Sequence, residues 1–373
     1  MKHIYILLLA VLVLSCGGRQ ASATHGEGDT VAFKYATQIS VVKYDGYTVA
    51  SLKNPWKEGM TLHRYVLVPA DKEIPQHIPS GTIIRTPLKR SVMFTTVHCA
   101  MLMEFGKQKC ISGVADLKYI KIPWIQDEVA KGHITDVGDG MSPVIEKIID
   151  EHPDALFLSP FENSGGFGKL EDINIPIVEC ADYMESSPLA RAEWMRFYGM
   201  LFGCEQQADS IFQDVDKSYH ELKALAAKAK TKPTVLVDKV TGSVWYVPGG
   251  KSTIGQMIKD ANGIYPWADD EHSGSVSLPF ETVLERAGES DVWLFRYSSN
   301  HDITYAELTS EHHGYDQFRA FKNGAAYGCD VERSAFYEES PFHPERLLND
   351  FIRIFHPETE GLAPLRYYTR VSR

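Results

Sequence analysis

SPLARAEWMRFYGMLFGCEQQADSIFQDVDKSYHELKALAAKAK, residues 187–230, carries the longest helical signal in the chain, with strand-and-helix punctuation on both sides of it. Ser187 is placed to cap an N-terminus, Pro188 stands where a first-turn proline is tolerated, and Gly203 interrupts the pattern near the middle. The spacing therefore predicts two successive helices. In the second, Ala208, Ile211, Phe212, Val215, Tyr219, Leu222, Leu225 and Ala229 recur at three- and four-residue steps, and the lysines at its far end suit the negative pole of the helix. A helix of about 25 residues spans roughly 37 Å, the breadth of a small domain. Two readings are open: a strut between two lobes, or a long surface helix on one body.

A chain of 373 residues, 44% of them hydrophobic, can bury a large core, and its length suits two lobes better than one. The formal net charge of -11 leaves no global basic field, so nucleic acid is excluded as an expected partner. At the N-terminus, Lys2 and His3 precede the apolar run Ile4 to Leu14 and then Ser15-Cys16-Gly17-Gly18. That run is short for a bilayer span and reads as an export signal. Val13-Leu14-Ser15-Cys16 resembles a bacterial lipobox, which implies cleavage before Cys16 and lipidation of that cysteine. The alternative is an ordinary secreted protein with a cysteine near its cleavage site. On the lipobox reading, residues 1–16 are signal and anchor, and residues 17–30, rich in Gly, Ser, Ala and Thr, are a flexible tether. The remaining Cys99, Cys110, Cys180, Cys204 and Cys329 are odd in number and form no C-x-x-C pair, so neither a disulfide framework nor a structural zinc site is signalled.

Residues 33–86 alternate in the manner of strands, with a hairpin signal at Asp45-Gly46, and predict two or three strands forming an edge or appendage. The core is then expected to begin with TIIRTPLKRSVMFTTVHCAMLMEFG, a strand and loop leading into a helix capped by Thr95 or Thr96. Strand CISGVAD, a helix starting near Pro143, strand Ala155 to Leu158 and strand IPIVE follow. Beyond the long helices come strand TVLVDKV, segment TGSVWYVPGG, helices KSTIGQMIKDA and PFETVLERA, strand DVWLFRY and a last helix HPERLLNDFIRIF. Strands alternating with helices predict an α/β fold: two lobes, each a mainly parallel sheet flanked by helices. The expected division is 31–187 for the first lobe, 188–230 for the helical linker, 231–360 for the second lobe and 361–373 for a tail.

Ligands of open parallel sheets gather beyond the carboxyl ends of strands. The loops expected there hold Arg90, Tyr119, Trp124, Phe161, Trp245, Tyr246, Arg296, Tyr297, Phe336, Tyr337 and Glu338. Aromatic faces with a few polar groups suit a bulky ligand. Val247-Pro248-Gly249-Gly250-Lys251-Ser252-Thr253 looks like the end of a phosphate-binding loop, but Trp245 stands where that loop needs glycine. It is either a turn before a helix or a helix N-terminus open to an anionic group. His312-His313 beside Glu311 lacks metal-ligand spacing and reads as surface loop. His98, in the first turn of a helix opening on the expected cleft, is either packed or functional. There is no G-x-S-x-G elbow and no paired acid-base set, so no catalytic residue, resident cofactor or metal site is expected.

Together the lipobox and the segments SPVIEKIIDEHPDALFLSP, PLARAEWMRFYGMLFGCEQQADSIF, LPFETVLERAGESDVWLF and HPERLLNDFIRIFHPE resemble one family, from about Ile83 to Pro357. It is that of the substrate-binding proteins of iron-complex and vitamin B12 ABC importers, the helical-backbone or class III periplasmic binding proteins. Within that family the chain resembles the lipoproteins of Bacteroides-type bacteria. The resemblance implies two lobes joined by a rigid helix and a ligand cleft between them. It implies a membrane-anchored periplasmic monomer that captures an iron-siderophore, haem or cobalamin and delivers it to an ABC permease dimer with its ATPase. Small lobe movement on binding is expected. Glu146 and Glu281 match the family's rim glutamates that dock on permease arginines. Tyr119, Phe161, Trp245, Tyr246, Tyr337 and Glu338 match its ligand loops. The family's cobalamin binders carry a tryptophan about six residues before each docking glutamate, where this chain has Gly140 and Ser275. From other classes, a chelatase or hydrolase acting in the same cleft, or a free-standing surface chelate-binding protein, is the alternative.

Overall fold

The computed structural model describes residues 28–162 and 166–372, so Cys16 and its lipobox lie outside the described residues. The chain begins with a five-stranded sheet: β1 (Asp29–Val31), β2 (Ile39–Tyr44), β3 (Tyr47–Lys53), β4 (Thr61–Pro69) and β5 (Thr82–Thr86), in that order. Pairs up to β4 are antiparallel and β4 runs parallel to β5. Two or three strands were expected here. TIIRT belongs to this sheet, because Ile84 packs in the core beside β4, and the lobe's own first strand starts later, at Ser91.

That lobe is built on β6 (Ser91–Met93), β7 (Ile111–Val114), β8 (Thr135–Asp136), the hairpin β9 (Gly138–Asp139) and β10 (Ser142–Pro143), β11 (Ala155–Leu158) and β12 (Ile177–Glu179). Its sheet runs β12-β11-β6-β7-β8 with every pair parallel. Strands β6, β7, β11 and β12 are buried along their whole length, as a sheet covered on both faces requires. Helices α1 (Thr96–Glu104), α2 (Pro123–Ala130) and α3 (Ile145–Asp150) flank it. Pro143 closes the hairpin rather than opening α3, which starts two residues later.

The linker is three helices, one more than expected: α4 (Pro188–Glu193), α5 (Met195–Leu201) and α6 (Glu205–Ala226). Ser187 caps α4 by accepting the Ala190 amide, and Gly203 ends α5 at φ +63°. The additional break falls at Trp194, whose fully buried indole donates to Glu185 (2.9 Å). The 22 residues of α6 span about 33 Å. Its first turns meet the first half of the chain, with Gln207 donating to the Glu104 carbonyl (3.1 Å). Its far end meets the second half, where Tyr219 and Lys223 hold Asp260 at 2.9 and 2.7 Å. The helix therefore bridges two bodies. Residues 34–38, between β1 and β2, clamp the start of the linker: Glu193 accepts the amides of Lys34, Tyr35 and Ala36, and Glu185, just before α4, those of Thr37 and Gln38.

The second lobe contains β13 (Val235–Val237), β14 (Val240–Thr241), β15 (Val244–Pro248), α7 (Thr253–Asp260), β16 (Ser275–Leu278), α8 (Phe280–Ala287), β17 (Val292–Tyr297), α9 (Tyr305–Glu311), α10 (Arg319–Lys322), β18 (Ala326–Asp330), α11 (Phe336–Glu339), α12 (Pro344–Phe355) and β19 (Thr369–Arg370). The main sheet is β13-β17-β18-β19, parallel except for β19, and β14-β15-β16 form an antiparallel sheet beside it. Strand β18, AYGCD, has no apolar run to reveal it. It packs through a missing side chain, since a Cβ at Gly328 would stand 2.7 Å from the Tyr297 ring. The expected tail at 361–373 supplies β19 and is tied in by Asp350, whose carboxylate accepts the amides of Arg366, Tyr367 and Tyr368.

Candidate ligand-binding cleft

The carboxyl ends of the two parallel sheets open on one seam. From the first lobe come Thr95 and Thr96 after β6, residues 116–121 after β7 and Phe161 after β11. From the second come Asp238 after β13, Arg296 to Ser299 at the end of β17, and residues 331–339 after β18. Asp116 and Asp238 hold left-handed φ values of +52° and +61° just beyond β7 and β13, so the chain makes the same sharp turn at both strand ends. Side-chain links among the described residues cross the seam. Thr96 donates to Glu338 (3.0 Å), Lys121 pairs with Glu332 (2.6 Å), and His343 reaches Glu104 (2.6 Å).

Helix α11 lies in the seam with a cavity on each side. The larger, about 660 Å³, is lined by α1, by Lys121 to Pro123 and by residues 332–346, a volume suited to a drug-sized or larger ligand. The smaller, about 150 Å³, lies towards the linker between Arg191, α7, Arg296 and Tyr337. In the larger cavity Lys121 pairs with Glu332, His343 with Glu104, and Arg346 and Arg366 with Glu339. Burial pushes the Glu338 carboxyl above its ordinary range. Burial acts in the same direction on Glu339, but Arg366 and Arg346 bring its carboxyl below that range. Burial would lower the His343 imidazolium, yet Glu104 and Glu345 on its two nitrogens hold it up at about 9.

Tyr119 and Phe161 stand on the first lobe's rim, 62% and 46% exposed, with Lys118 Nζ 4.7 Å from the Tyr119 ring centroid. Neither lines either cavity; Tyr337, 45% exposed on α11, lines the smaller one, and Glu338 lines the larger. Arg296 grips Asp238 through Nε (3.0 Å) and Nη2 (2.7 Å), with its guanidinium 5.9 Å from the Phe336 ring centroid. Tyr246 is exposed on β15 opposite Ser277, away from the lining of either cavity. Trp124 is half-buried at the start of α2.

Three expected ligand contacts are corrected. Arg90 precedes β6, at the amino end of the sheet, and is spent on Glu151, donating to its carbonyl (2.8 Å) and pairing with its carboxylate. The misplacement follows from taking TIIRT for the lobe's first strand. Trp245 is fully buried among Trp293, Tyr315 and Phe318, and its indole donates to the Val237 carbonyl (2.9 Å). Alternation along β15 turns Tyr246 out and Trp245 in. Tyr297 is buried against Gly328 by the same alternation next to Arg296.

Glu146 and Glu281 are each the second residue of a helix, α3 and α8, and both are exposed. Each helix follows a strand of a small antiparallel sheet, which gives the two lobes similar tips. A Cβ at Gly140 would meet Asp116 Oδ2 at 2.5 Å, so any side chain here displaces that carboxylate. His98 is packed: its Nδ1 meets Thr95, and its Nε2 lies 3.1 Å from Asp182 and 3.0 Å from Tyr198. His312 stacks on Phe280 at 4.1 Å, and among the described residues no cluster of His, Cys, Asp or Glu is placed to hold a metal ion. The paired glycines at 249 and 250 lead to Ser252, which caps α7 by accepting the Gly255 amide.

Lys121, Glu332, His343 and Arg191 were not singled out from the sequence. Lys121 follows Tyr119 by two residues in an expected ligand loop, which was signal enough to find it.

The sequence model of the periplasmic binding protein family matches residues 111–332, more than half of the chain. The chain belongs to that family. An uncharacterized lipoprotein of Methanocaldococcus jannaschii is 27% identical over 353 residues, covering 88% of this chain and 83% of its own length. A second from the same organism is 25% identical over 392 residues, 98% of each chain. Among solved structures, a periplasmic heme binding protein from Pseudomonas aeruginosa superposes with a TM-score of 0.59 at 15% identity, over 77% of this chain and 99% of that one. The ABC-type Fe3+-hydroxamate transport protein from Saccharomonospora viridis gives 0.57 at 17% identity, over 72% and 94%. These likenesses establish the fold: an α/β class III periplasmic binding protein. The matched span begins at β7, so the five-stranded sheet lies outside it. No helix among the described residues is long and apolar enough to cross a membrane.

Proposed function

We propose that this family member is an extracytoplasmic receptor, held at the membrane by a lipid on Cys16, that captures a metal chelate between its lobes and hands it to an ABC permease dimer with its ATPase. The candidate ligands are an iron-siderophore, haem or cobalamin, in that order. The observation that supports the reading is a cavity of about 660 Å³ at the seam, lined by α1 and Lys121 from the first lobe and by Glu332 and Glu338 from the second. Tyr119 and Phe161 on one rim and Tyr337 on the other cover the apolar parts of the chelate, while Arg296 and Glu338 meet its polar groups. Tyr246 is a contact only for a ligand that overhangs the rim. Gly140 and Ser275 stand where the family's cobalamin binders carry tryptophan, which puts cobalamin last. Glu146 and Glu281 dock the two lobe tips on permease arginines, setting register more than raw affinity. The protein acts as a monomer and performs no catalysis.

Native mass spectrometry of the protein from iron-limited cells tests the ligand: a bound mass that matches a ferric chelate, haem or corrinoid is expected. Reversing Glu146 and Glu281 to lysine stops uptake while chelate affinity stays unchanged. Unaltered uptake by that variant removes the docking assignment.

A further inference from the structure

The smaller cavity has a chemistry of its own. Two guanidinium groups line it from distant parts of the chain, Arg191 on α4 and Arg296 at the end of β17. Each is anchored from behind. Arg191 donates through Nε to Asp182 (3.0 Å), which is itself buried and bonded to His98 and Tyr198. Arg296 holds Asp238 through Nε and Nη2. The anchors orient each planar fork but leave donors unused. Both terminal nitrogens of Arg191 and Nη1 of Arg296 have no hydrogen-bond partner among the described residues. Donors fixed in direction and left open are the arrangement that recognises carboxylate and phosphate.

The rest of the lining agrees. Among the described residues no carboxylate lines this cavity, whereas Glu104, Glu332, Glu338 and Glu339 all line the larger one. Thr253, the first residue of α7, brings a hydroxyl and the positive end of an eight-residue helix to the wall. The volume of about 150 Å³ equals about five water volumes, room for a single small group and not for a macrocycle.

We infer that the cavity between the linker and the second lobe receives one oxyanion group, a carboxylate or a phosphate, held between Arg191 and Arg296. The group is either a free anion or an acidic arm of the chelate, and only the second source rests on the receptor reading. In both cases the anion joins the linker to the second lobe, because one arginine belongs to each.

Isothermal titration of the purified protein with inorganic phosphate and with ferric citrate separates the sources. Arg191→Met is expected to weaken binding of the accepted probe by about tenfold or more. Because that change also unpairs Asp182, Thr253→Glu is the second variant: it leaves both ion pairs intact, adds an acid to the first turn of α7, which the helix favours, and fills the cavity with negative charge. Loss of binding in Thr253→Glu at an unchanged thermal midpoint supports the site. Phosphate binding identifies a free anion as acceptable, and ferric citrate binding without phosphate binding identifies the arm of a chelate. Equal affinity in wild type and Thr253→Glu, or no saturable binding of either probe up to about 10 mM, overturns the inference. A chelate that binds and is imported regardless of Thr253→Glu removes the anion site and keeps the receptor. An anion site in a protein that supports no uptake does the reverse.

Discussion

His343→Gln tests how the two lobes are held. His343 precedes α12 with its side chain 8% exposed, and it presents Nε2 to Glu104 of the first lobe and Nδ1 to Glu345 of its own, at 2.6 and 2.9 Å. The surrounding charges are Arg346, which reaches both Glu345 and Glu339, and Glu339 itself, which is neutralised further by Arg366. Two carboxylates on one ring raise the imidazolium from the ordinary 6.5 to about 9, against the effect of burial. The folded state therefore binds the proton more tightly than the unfolded state. The resulting stabilisation is complete below about pH 6.5 and is lost as pH rises through about 9. A proton held over that interval is worth about 3 kcal/mol. Glutamine has similar reach but carries no charge, so His343→Gln should be about 3 kcal/mol less stable than wild type at pH 6, and the gap should close by about pH 10. Denaturant unfolding of both proteins across that range measures it. A gap of the same size at pH 6 and pH 10 would mean that the ring acts through packing alone.

The remaining predictions concern the core, the rim and the buried network. Trp245→Ala should cost about 3–5 kcal/mol and leave chelate affinity unchanged in whatever protein remains folded, because the indole belongs to the core. Tyr119→Ala and Tyr337→Ala should each weaken chelate binding by about tenfold without moving the thermal midpoint, as titration calorimetry beside a melt would show. Asp182 is fully buried, which alone would raise its carboxyl, yet His98 and Arg191 hold it at about 2. Its folded value lies below the unfolded one, so its contribution of about 2 kcal/mol is present above about pH 4 and is lost as pH falls through about 2. Asp182→Asn should therefore be less stable than wild type at neutral pH and converge with it in acid, a comparison that circular dichroism can make.

What the sequence discloses follows what local patterns can encode. The buried strand at 155–158, the cap at Ser187, the break at Gly203 and the apolar stripe of α6 are local signals, and each corresponds to an element in the structure. Strand β18 and the closing β19 are held by long-range contacts instead, through Gly328 against Tyr297 and Asp350 against three amides, so no period marks them. The site divides in the same way. Tyr119 and Phe161 are exposed in loops that follow strands, as their place in the sequence suggests, whereas Trp245 and Tyr297 differ from their neighbours only by strand alternation. Arg191 is invisible as a site residue in sequence, since it belongs to the linker and comes within reach of Arg296 only through the fold.

The central claim is that a chelate lies between the lobes and touches both. A crystal structure of the protein soaked with ferric siderophore or haem tests it most directly. Density bridging Tyr119 and Tyr337, with the lobes little moved about α6, is the predicted result. Density confined to one lobe, or no ligand density between the lobes at saturating concentration, would contradict it.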